Sequence, residues 1–269
     1  MKKLMCVLAA VACGIAMADE GGISSANIVG YTTKEMNAGL QDILGGQFVG
    51  VATKSIDIQQ IFLVNGAGTD AINLYVPGVG YTMYTWSTET YKNDYEYAED
   101  LGPGWADGDQ IRFCELNENA ISIDPGQGFW ISVDGEGVSV QHSGEVLSSE
   151  FETITMQAGL QDILIMPYPS ATDIQNIVLL NGTGTDAINL YVPGTGYTMY
   201  TWSLETYKND YEYAEDLGPG WADGDQIRFC EMNDNAITIG VGQGFWISMD
   251  GDGVNTPQVK FVNPINAAK

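Results

Sequence analysis

Residues 69–87 read TDAINLYVPGVGYTMYTWS, and this stretch decides the fold class. On both sides of Pro77-Gly78 the side chains alternate with a period of two, which is typical of β-strands and not of helices. Proline presets φ and glycine accepts a positive φ, so this dipeptide predicts a turn between strands at 71–76 and 81–86. Residues 185–203 repeat the stretch with one change. The sequence therefore predicts that the same pair of strands forms twice.

The duplication reaches well beyond this stretch. Residues 69–115 and 185–231 differ at only two of 47 positions, and the closing segment GQGFWIS at 126–132 recurs at 242–248. Recent duplication explains such near-identity, and so does a shared functional demand on the middle of each copy. The repeated unit is too long for a solenoid repeat and about right for a small domain.

The matching segments place the two copies at about residues 24–145 and 146–265. Further strands are predicted at 110–116, 120–123 and 128–133. Many short strands with closely spaced turns favour antiparallel sheets. We therefore expect an all-β protein made of two tandem antiparallel β-sandwich or barrel-like domains of the same fold. Short helical turns opened by an aspartate cap are predicted at 57–63 and 173–179.

The first 18 residues predict a signal peptide rather than a part of the fold. Lys2 and Lys3 precede an apolar run that ends in an Ala-x-Ala cleavage site at Ala18. The run is shorter than the roughly 20 apolar residues that a transmembrane helix needs. We therefore expect a secreted protein without a transmembrane segment, located outside the cell, on its surface or in a periplasm. Lipidation of Cys13 is the alternative.

The charge balance limits the possible partners. The chain has 35 acidic residues against 10 basic ones, which gives a formal net charge of −25. Such a negative field disfavours nucleic acid and anionic membrane surfaces as partners. Cations and neutral or basic partners stay possible, and the charge also keeps an exported protein in solution.

The near-identical middle of each copy is rich in aromatic side chains. Aromatic faces can stack on sugar rings while neighbouring carboxylates accept hydrogen bonds from sugar hydroxyls, and two equal sites add avidity for a polymer. Tyrosine and tryptophan also fill the cores of small β domains, so this alternative stays open. The candidate glycan-binding residues are Tyr84, Trp86, Tyr91, Tyr95, Trp105, Tyr200, Trp202, Tyr207, Tyr211 and Trp221.

Carboxylates in the same segments make calcium the one candidate cofactor, because Ca²⁺ prefers oxygen ligands. The candidate calcium ligands are Asp94, Glu96, Asp100, Asp107, Asp109, Asp210, Glu212, Asp216, Asp223 and Asp225. Residues 250–253 read DGDG, which also looks calcium-like but lacks the spacing of an EF-hand loop. Their counterpart at 134–137 reads DGEG, so a glycine-rich hairpin turn explains them equally well.

The sequence does not predict an enzyme. His142 is the only histidine and lies outside the duplicated middle, so a histidine-dependent catalytic triad or zinc site cannot occur in both copies. Cys114 and Cys230 occupy matching places in the two copies, and we expect separate thiols rather than a disulfide between them.

Short motifs resemble those of a group of secreted bacterial tandem-repeat β proteins of unknown function. The opening NIVGY at 27–31 and the closing PGQGFW at 125–130 carry the resemblance. The YTW strand at 84–86 and the GPGW turn at 102–105 match further motifs of the group. The resemblance implies export and a β fold, and it supplies no catalytic residue.

These observations predict a secreted, non-catalytic surface or extracellular structural or assembly protein made of duplicated β domains. Its partners would be other envelope or extracellular proteins, or further copies of the chain. The alternative is a bivalent, lectin-like glycan binder, acting either with calcium or without it. An assembly protein should form particles without sugar, whereas a glycan binder should stay monomeric and change its tryptophan fluorescence with ligand.

Overall fold

The computed structural model describes residues 29–50, 54–90, 101–106, 120–206, 217–222 and 236–264. These residues form small antiparallel sheets, which confirms the prediction of an all-β chain. Below, the first half denotes residues up to 145 and the second half denotes the rest. Among the described residues, no helix has the length and apolar character needed to span a membrane.

The two halves contain the same series of strands. Those of the first half are β1 (Val29–Met36), β2 (Leu40–Gly45), β3 (Ile56–Asp57), β4 (Ile61–Val64), β5 (Ala71–Val76), β6 (Gly80–Ser87), β7 (Gly104–Ala106), β8 (Ser122–Ile123), β9 (Gly128–Val133) and β10 (Val138–Glu145). Those of the second half are β11 (Phe151–Thr155), β12 (Leu160–Ile165), β13 (Thr172–Asp173), β14 (Ile177–Leu180), β15 (Ala187–Val192), β16 (Gly196–Ser203), β17 (Gly220–Ala222), β18 (Thr238–Ile239), β19 (Gly244–Met249) and β20 (Gln258–Val262).

Each half forms three sheets with the same strand order. The first half has a three-stranded sheet β1-β10-β4, a five-stranded sheet β2-β9-β5-β6-β7 and a two-stranded sheet β3-β8. The second half repeats them as β11-β20-β14, β12-β19-β15-β16-β17 and β13-β18. Every strand ladder within the described residues joins strands of one half only.

The strands at 71–76 and 128–133 occur as predicted, and that at 81–86 lies within β6. The strand predicted at 120–123 is reduced to Ser122–Ile123, and the one at 110–116 lies outside the described residues. Between β9 and β10 the DGEG segment forms a turn in which Gly137 has a positive φ of 66°, but it is not the expected hairpin, because β9 lies in the five-stranded sheet and β10 in the three-stranded sheet.

The aspartate-capped turns are shorter than predicted. The Asp57 carboxylate accepts a hydrogen bond from the Gln59 N–H, but the turn ends after Ile58–Gln60 as a 3-10 helix. Strand β4 follows directly because Ile61 and Leu63 alternate into the core. The second half repeats this arrangement with Asp173 as the cap. A turn this short lets the chain cross from the small sheet to the three-stranded sheet within a few residues.

The core of each half lies between its three-stranded and five-stranded sheets. In the first half, Ile61 and Val140 come from the three-stranded sheet, and Ile72, Trp86 and Phe129 come from the five-stranded sheet. The second half has a separate core with equivalent members. The alternation that predicted the strands therefore also divides their faces, because every second side chain points inward.

A fully buried indole connects the two large sheets of each half. Trp105 of β7 donates its Nε1–H to the Ile61 carbonyl at the start of β4, with a nitrogen-to-oxygen distance of 2.6 Å. The Gln59 side chain also holds the Trp105 backbone, donating to its carbonyl and accepting from its N–H. In the second half, Trp221 donates to the Ile177 carbonyl at 2.6 Å. Because the carbonyl is buried away from water, it needs a donor within the protein, and the indole supplies it.

We expect Trp105→Phe and Trp221→Phe each to lower the free energy of unfolding by about 1–3 kcal/mol, because each leaves a buried carbonyl without its donor. Urea unfolding followed by circular dichroism measures the change. Phe62→Leu is the control, since Phe62 is partly exposed and its ring packs perpendicular to Trp86 without a hydrogen bond to replace. Equal stability of the tryptophan variants and the parent would contradict the role given to the indole N–H.

Candidate functional site

The tryptophans predicted to bind sugars lie in the cores. Trp86 and Trp105 are buried and meet edge to face, with ring centroids 5.2 Å apart. Trp202 and Trp221 repeat this contact at the same distance. A sugar ring needs an exposed aromatic face to stack on, and these four indoles offer none. The expectation that they form a stacking surface is therefore corrected, and their burial matches the alternative of core packing.

The other candidates are placed only in part. Tyr84 is buried and Tyr200 is half-buried, and burial raises the pKa of both hydroxyls. The remaining candidate tyrosines, all ten candidate calcium ligands and both mature cysteines lie outside the described residues. Within the described part of the chain, no group of three or more metal-ligating side chains is found. The calcium prediction therefore stays a prediction.

The DGDG segment at 250–253 starts a loop held by its own hydrogen bonds. The Asp252 carboxylate accepts from the backbone N–H of Asn255 at 2.7 Å, from the Asn255 side chain at 2.8 Å and from the backbone N–H of Val254 at 2.9 Å. These bonds, with the Asn255 backbone first, hold the pKa of Asp252 below its usual value. The carboxylate thus stabilises a loop between two sheets, and the predicted hairpin is not formed, because β19 and β20 do not pair with each other.

The structure brings together a set of residues that the sequence did not single out, at the junction between the two halves. Ile43 of β2 and Ile163 of β12 are fully buried, yet neither belongs to the core of its own half. A Cβ added to Gly244 would lie 2.1 Å from Ile43 Cγ2, and one added to Gly128 would lie 2.7 Å from Ile163 Cγ2. Each isoleucine therefore packs directly on the backbone of the other half.

Aromatic contacts extend the junction with the same symmetry. Trp130 packs edge to face on Tyr191 with centroids 4.9 Å apart, and Trp246 packs on Tyr75 at 5.1 Å. Because residues 130 and 246 are equivalent in the two copies, and so are 75 and 191, each contact is the counterpart of the other. The two halves are thus related by an approximate two-fold axis.

Two tyrosines complete this aromatic cluster at the surface. The Tyr81 hydroxyl accepts a hydrogen bond from the Trp130 indole, and the Tyr197 hydroxyl accepts one from Trp246. The pKa of Tyr81 is raised, and burial is the largest cause. The hydrogen bond from Trp130 lowers this pKa, and nearby Tyr197 raises it further. The two tyrosines therefore lie close together, on opposite sides of the approximate axis.

The repeat itself was the signal for these residues. The GQGFW motif supplies Gly128, Gly244, Trp130 and Trp246, and the segment around Ile43 recurs in both copies. Gln127 of the motif also forms a β-bridge with Leu164, and the Ile165 N–H donates to the Gly126 carbonyl at 2.9 Å. The motif that closes each copy therefore makes the contacts between copies.

One ion pair at the junction is present in only one half. In the first half the Lys34 ammonium pairs with the buried Asp42 carboxylate. At the equivalent places the second half has Ile154 and Asp162. Burial raises the pKa of Asp162 to about 6, against its backbone hydrogen bond from Ile163. The second copy thus retains the acid without the lysine that neutralises it.

Asp162 lines a cavity of about 510 Å³ between the halves. Lys54, Asp124 and Glu152 line the same cavity. Two of its carboxylates already accept hydrogen bonds from serine hydroxyls, Asp124 from Ser55 and Glu152 from Ser149, both at 2.7 Å. The charged groups around the cavity are therefore mainly engaged within the protein.

Comparison with family models, with curated proteins and with solved structures found no match to the chain. The resemblance to secreted bacterial β proteins consequently stays a prediction.

We expect Gly128→Ala and Gly244→Ala to weaken the junction by about 1–3 kcal/mol each, because the added methyl groups overlap Ile163 and Ile43. Urea unfolding followed by tryptophan fluorescence measures the loss. Gly68→Ala is the matched control, because its added methyl group would meet only the Trp86 carbonyl oxygen at 3.9 Å. A control as damaging as the junction variants would contradict the close contact.

The two equivalent acids should respond oppositely to the same substitution. A pKa of about 6 for folded Asp162, above its usual 3.8, means that its contribution to stability is lost as the pH rises through 6. Asp162→Asn should therefore gain stability over the parent as the pH rises from 4 to 7. Asp42→Asn should lose stability at pH 7, since Lys34 is left without its partner. Urea unfolding across this pH range measures both, and two changes of the same sign would contradict the assignment.

Proposed function

We propose that this chain is a secreted, non-catalytic structural or assembly protein made of two β domains of one fold. Copies 24–145 and 146–265 would be the domains. A separate core in each half supports this division, because a domain needs a core of its own. The sandwich character is supported by the two large sheets that enclose each core. Export rests on the predicted signal peptide.

One observation carries the assembly function, namely a surface on which the same apolar side chains are exposed twice. Tyr81 and Tyr197 are each 52% exposed, and Met83 and Met199 are 62% and 63% exposed. We call these four residues the tyrosine–methionine patch. Tyr81 and Met83 share one face of β6, and their counterparts share one face of β16, since alternate residues of a strand point the same way. Clustered exposed apolar groups mark interaction surfaces, where tyrosine and methionine are enriched.

The symmetry of the patch favours a second copy of the chain as the partner. A surface that carries the same groups on both sides of a two-fold axis can pair with itself through isologous contacts. The strongly negative chain repels further copies, so apolar contact must supply the attraction. Added salt screens this repulsion and should strengthen the association.

Glycan binding is a second candidate with one observation in its favour. The half-exposed rings of Tyr81 and Tyr197 can stack on a sugar, which the buried tryptophans cannot. Both tyrosines lie outside the set predicted from the sequence. A glycan site at this position would compete with self-association for the same surface.

Sedimentation velocity on residues 19–269, over a wide concentration range and at low and high sodium chloride, tests the proposal. We expect reversible oligomers whose share increases with concentration and with salt. Met83→Lys combined with Met199→Lys should abolish them. The added lysines lower the net negative charge, so a loss of association would not come from stronger overall repulsion between the acidic chains.

Val254→Lys is the control. Val254 is 86% exposed in a loop, and the lysine there adds a positive charge outside the patch. It should associate like the parent. A parent protein that stays monomeric under all conditions would overturn the assembly proposal. Binding to a glycan array that Tyr81→Ala and Tyr197→Ala abolish would favour the second candidate instead.

A further inference from the structure

A second cavity, of about 300 Å³, lies at the junction beside the three-stranded sheet of the first half. Its first-half wall includes Gln47, Phe129 and His142, and Ile165 and Val241 of the second half close it. For comparison, a cavity of 150 Å³ lined by hydrocarbon holds benzene. The volume therefore suits a molecule of roughly ten non-hydrogen atoms.

Two side chains in the wall of this cavity each carry a buried nitrogen that has no hydrogen-bond partner among the described residues. These nitrogens are Gln47 Nε2 and His142 Nε2, and the residues are only 2% and 7% exposed. Buried donors and acceptors are nearly always paired in folded proteins, because an unpaired one loses its bonds to water without compensation. Both side chains thus have unmet hydrogen-bonding capacity beside a space that a partner from outside the chain can enter.

The wall groups define the chemistry of that partner. Burial lowers the pKa of His142 to about 4, so its imidazole is neutral at pH 7. The Phe48 ring meets the imidazole edge to face at 5.0 Å and fixes its orientation. Among the described residues of the wall, the one cation is Lys34, which is already paired with Asp42. A neutral amide and a neutral imidazole favour an uncharged polar group, since a buried ion would be left without a counter-charge.

The second copy provides an internal comparison. The register of the strands places Phe261 opposite Ile177, where the first half has His142 opposite Ile61. Pro167 takes the place of Gln47, and Ile154 that of Lys34. The same fold therefore forms with hydrocarbon at all three positions. Folding alone does not require polar groups at this cavity.

We propose that this cavity binds a small uncharged molecule with an apolar body and one carbonyl, amide or hydroxyl group, which Gln47 and His142 recognise. The apolar body would pack between Phe129 of the first half and Ile165 and Val241 of the second. Because both halves contribute to the wall, the bound molecule would also stabilise the junction. This inference is independent of the proposed assembly function.

Thermal unfolding of residues 19–269 with small aromatic probes tests the site. Benzamide, acetophenone and p-cresol combine an apolar ring with a neutral polar group, and each should raise the melting temperature in proportion to the logarithm of its concentration. Benzoate, with the same ring and a charge, should cause no shift. The ring signals of His142, the only histidine, should move in the NMR spectrum with the neutral probes alone.

The second copy also supplies the variants. His142→Phe introduces the residue that the equivalent position already carries, so the variant should fold. The neutral probes should no longer raise its melting temperature. Gln141→Lys is the control. It also introduces the residue of the equivalent second-half position, Lys260, on the same strand, but Gln141 does not line the cavity. It should keep the shift.

Two results would overturn the proposal. One is the absence of any shift with all neutral probes, which would mean that the cavity holds water only. The other is a shift that persists in His142→Phe, which would place the binding elsewhere on the protein.

Discussion

The fold of each half depends on one buried hydrogen bond, from a tryptophan indole to the first carbonyl of a strand in the opposite sheet. Trp105 and Trp221 are fully buried, and each fixes where its five-stranded sheet lies against the three-stranded one. Apolar packing alone tolerates small shifts, whereas a buried donor has one acceptable position. The core, the aspartate-capped turn and the start of the next strand are all arranged around this contact.

At the centre of the junction between the halves, the main contact is packing rather than a hydrogen bond. The side chains of Ile43 and Ile163 pack there on the backbone of glycines of the opposite half. Full burial of an isoleucine contributes about 1.5–3 kcal/mol, so two such residues and the aromatic contacts around them can hold the halves together without a shared strand ladder. The small size of glycine is what permits the approach.

Much of the fold could be predicted from the sequence, and the reason is local. Period-two alternation and Pro-Gly turns act over a few residues, so β5, β6 and β9 were found with nearly correct ends. The candidate site was harder to predict. A tryptophan in an alternating strand pattern looks the same in the sequence whether its side of the strand faces the core or the solvent. The sequence therefore left Trp86 and Trp105 as either sugar-stacking or core residues, and the structure buries both in the core. Ile43 and Trp130 carried a usable signal, since they are apolar on the face that alternation assigns to solvent.

Cavities lie at equivalent places on both sides of the approximate two-fold axis, but Phe261 and Pro167 take the places of His142 and Gln47 on the second side. In a homodimer one gene encodes both sides, so any polar residue placed in one cavity wall is also placed in the other, and its cost to packing is doubled. Covalent linkage of the two copies removes this coupling. One copy can then keep apolar residues at these positions while the other departs from them. The tandem arrangement thus gives the molecule a freedom to become asymmetric that two separate, identical chains do not have.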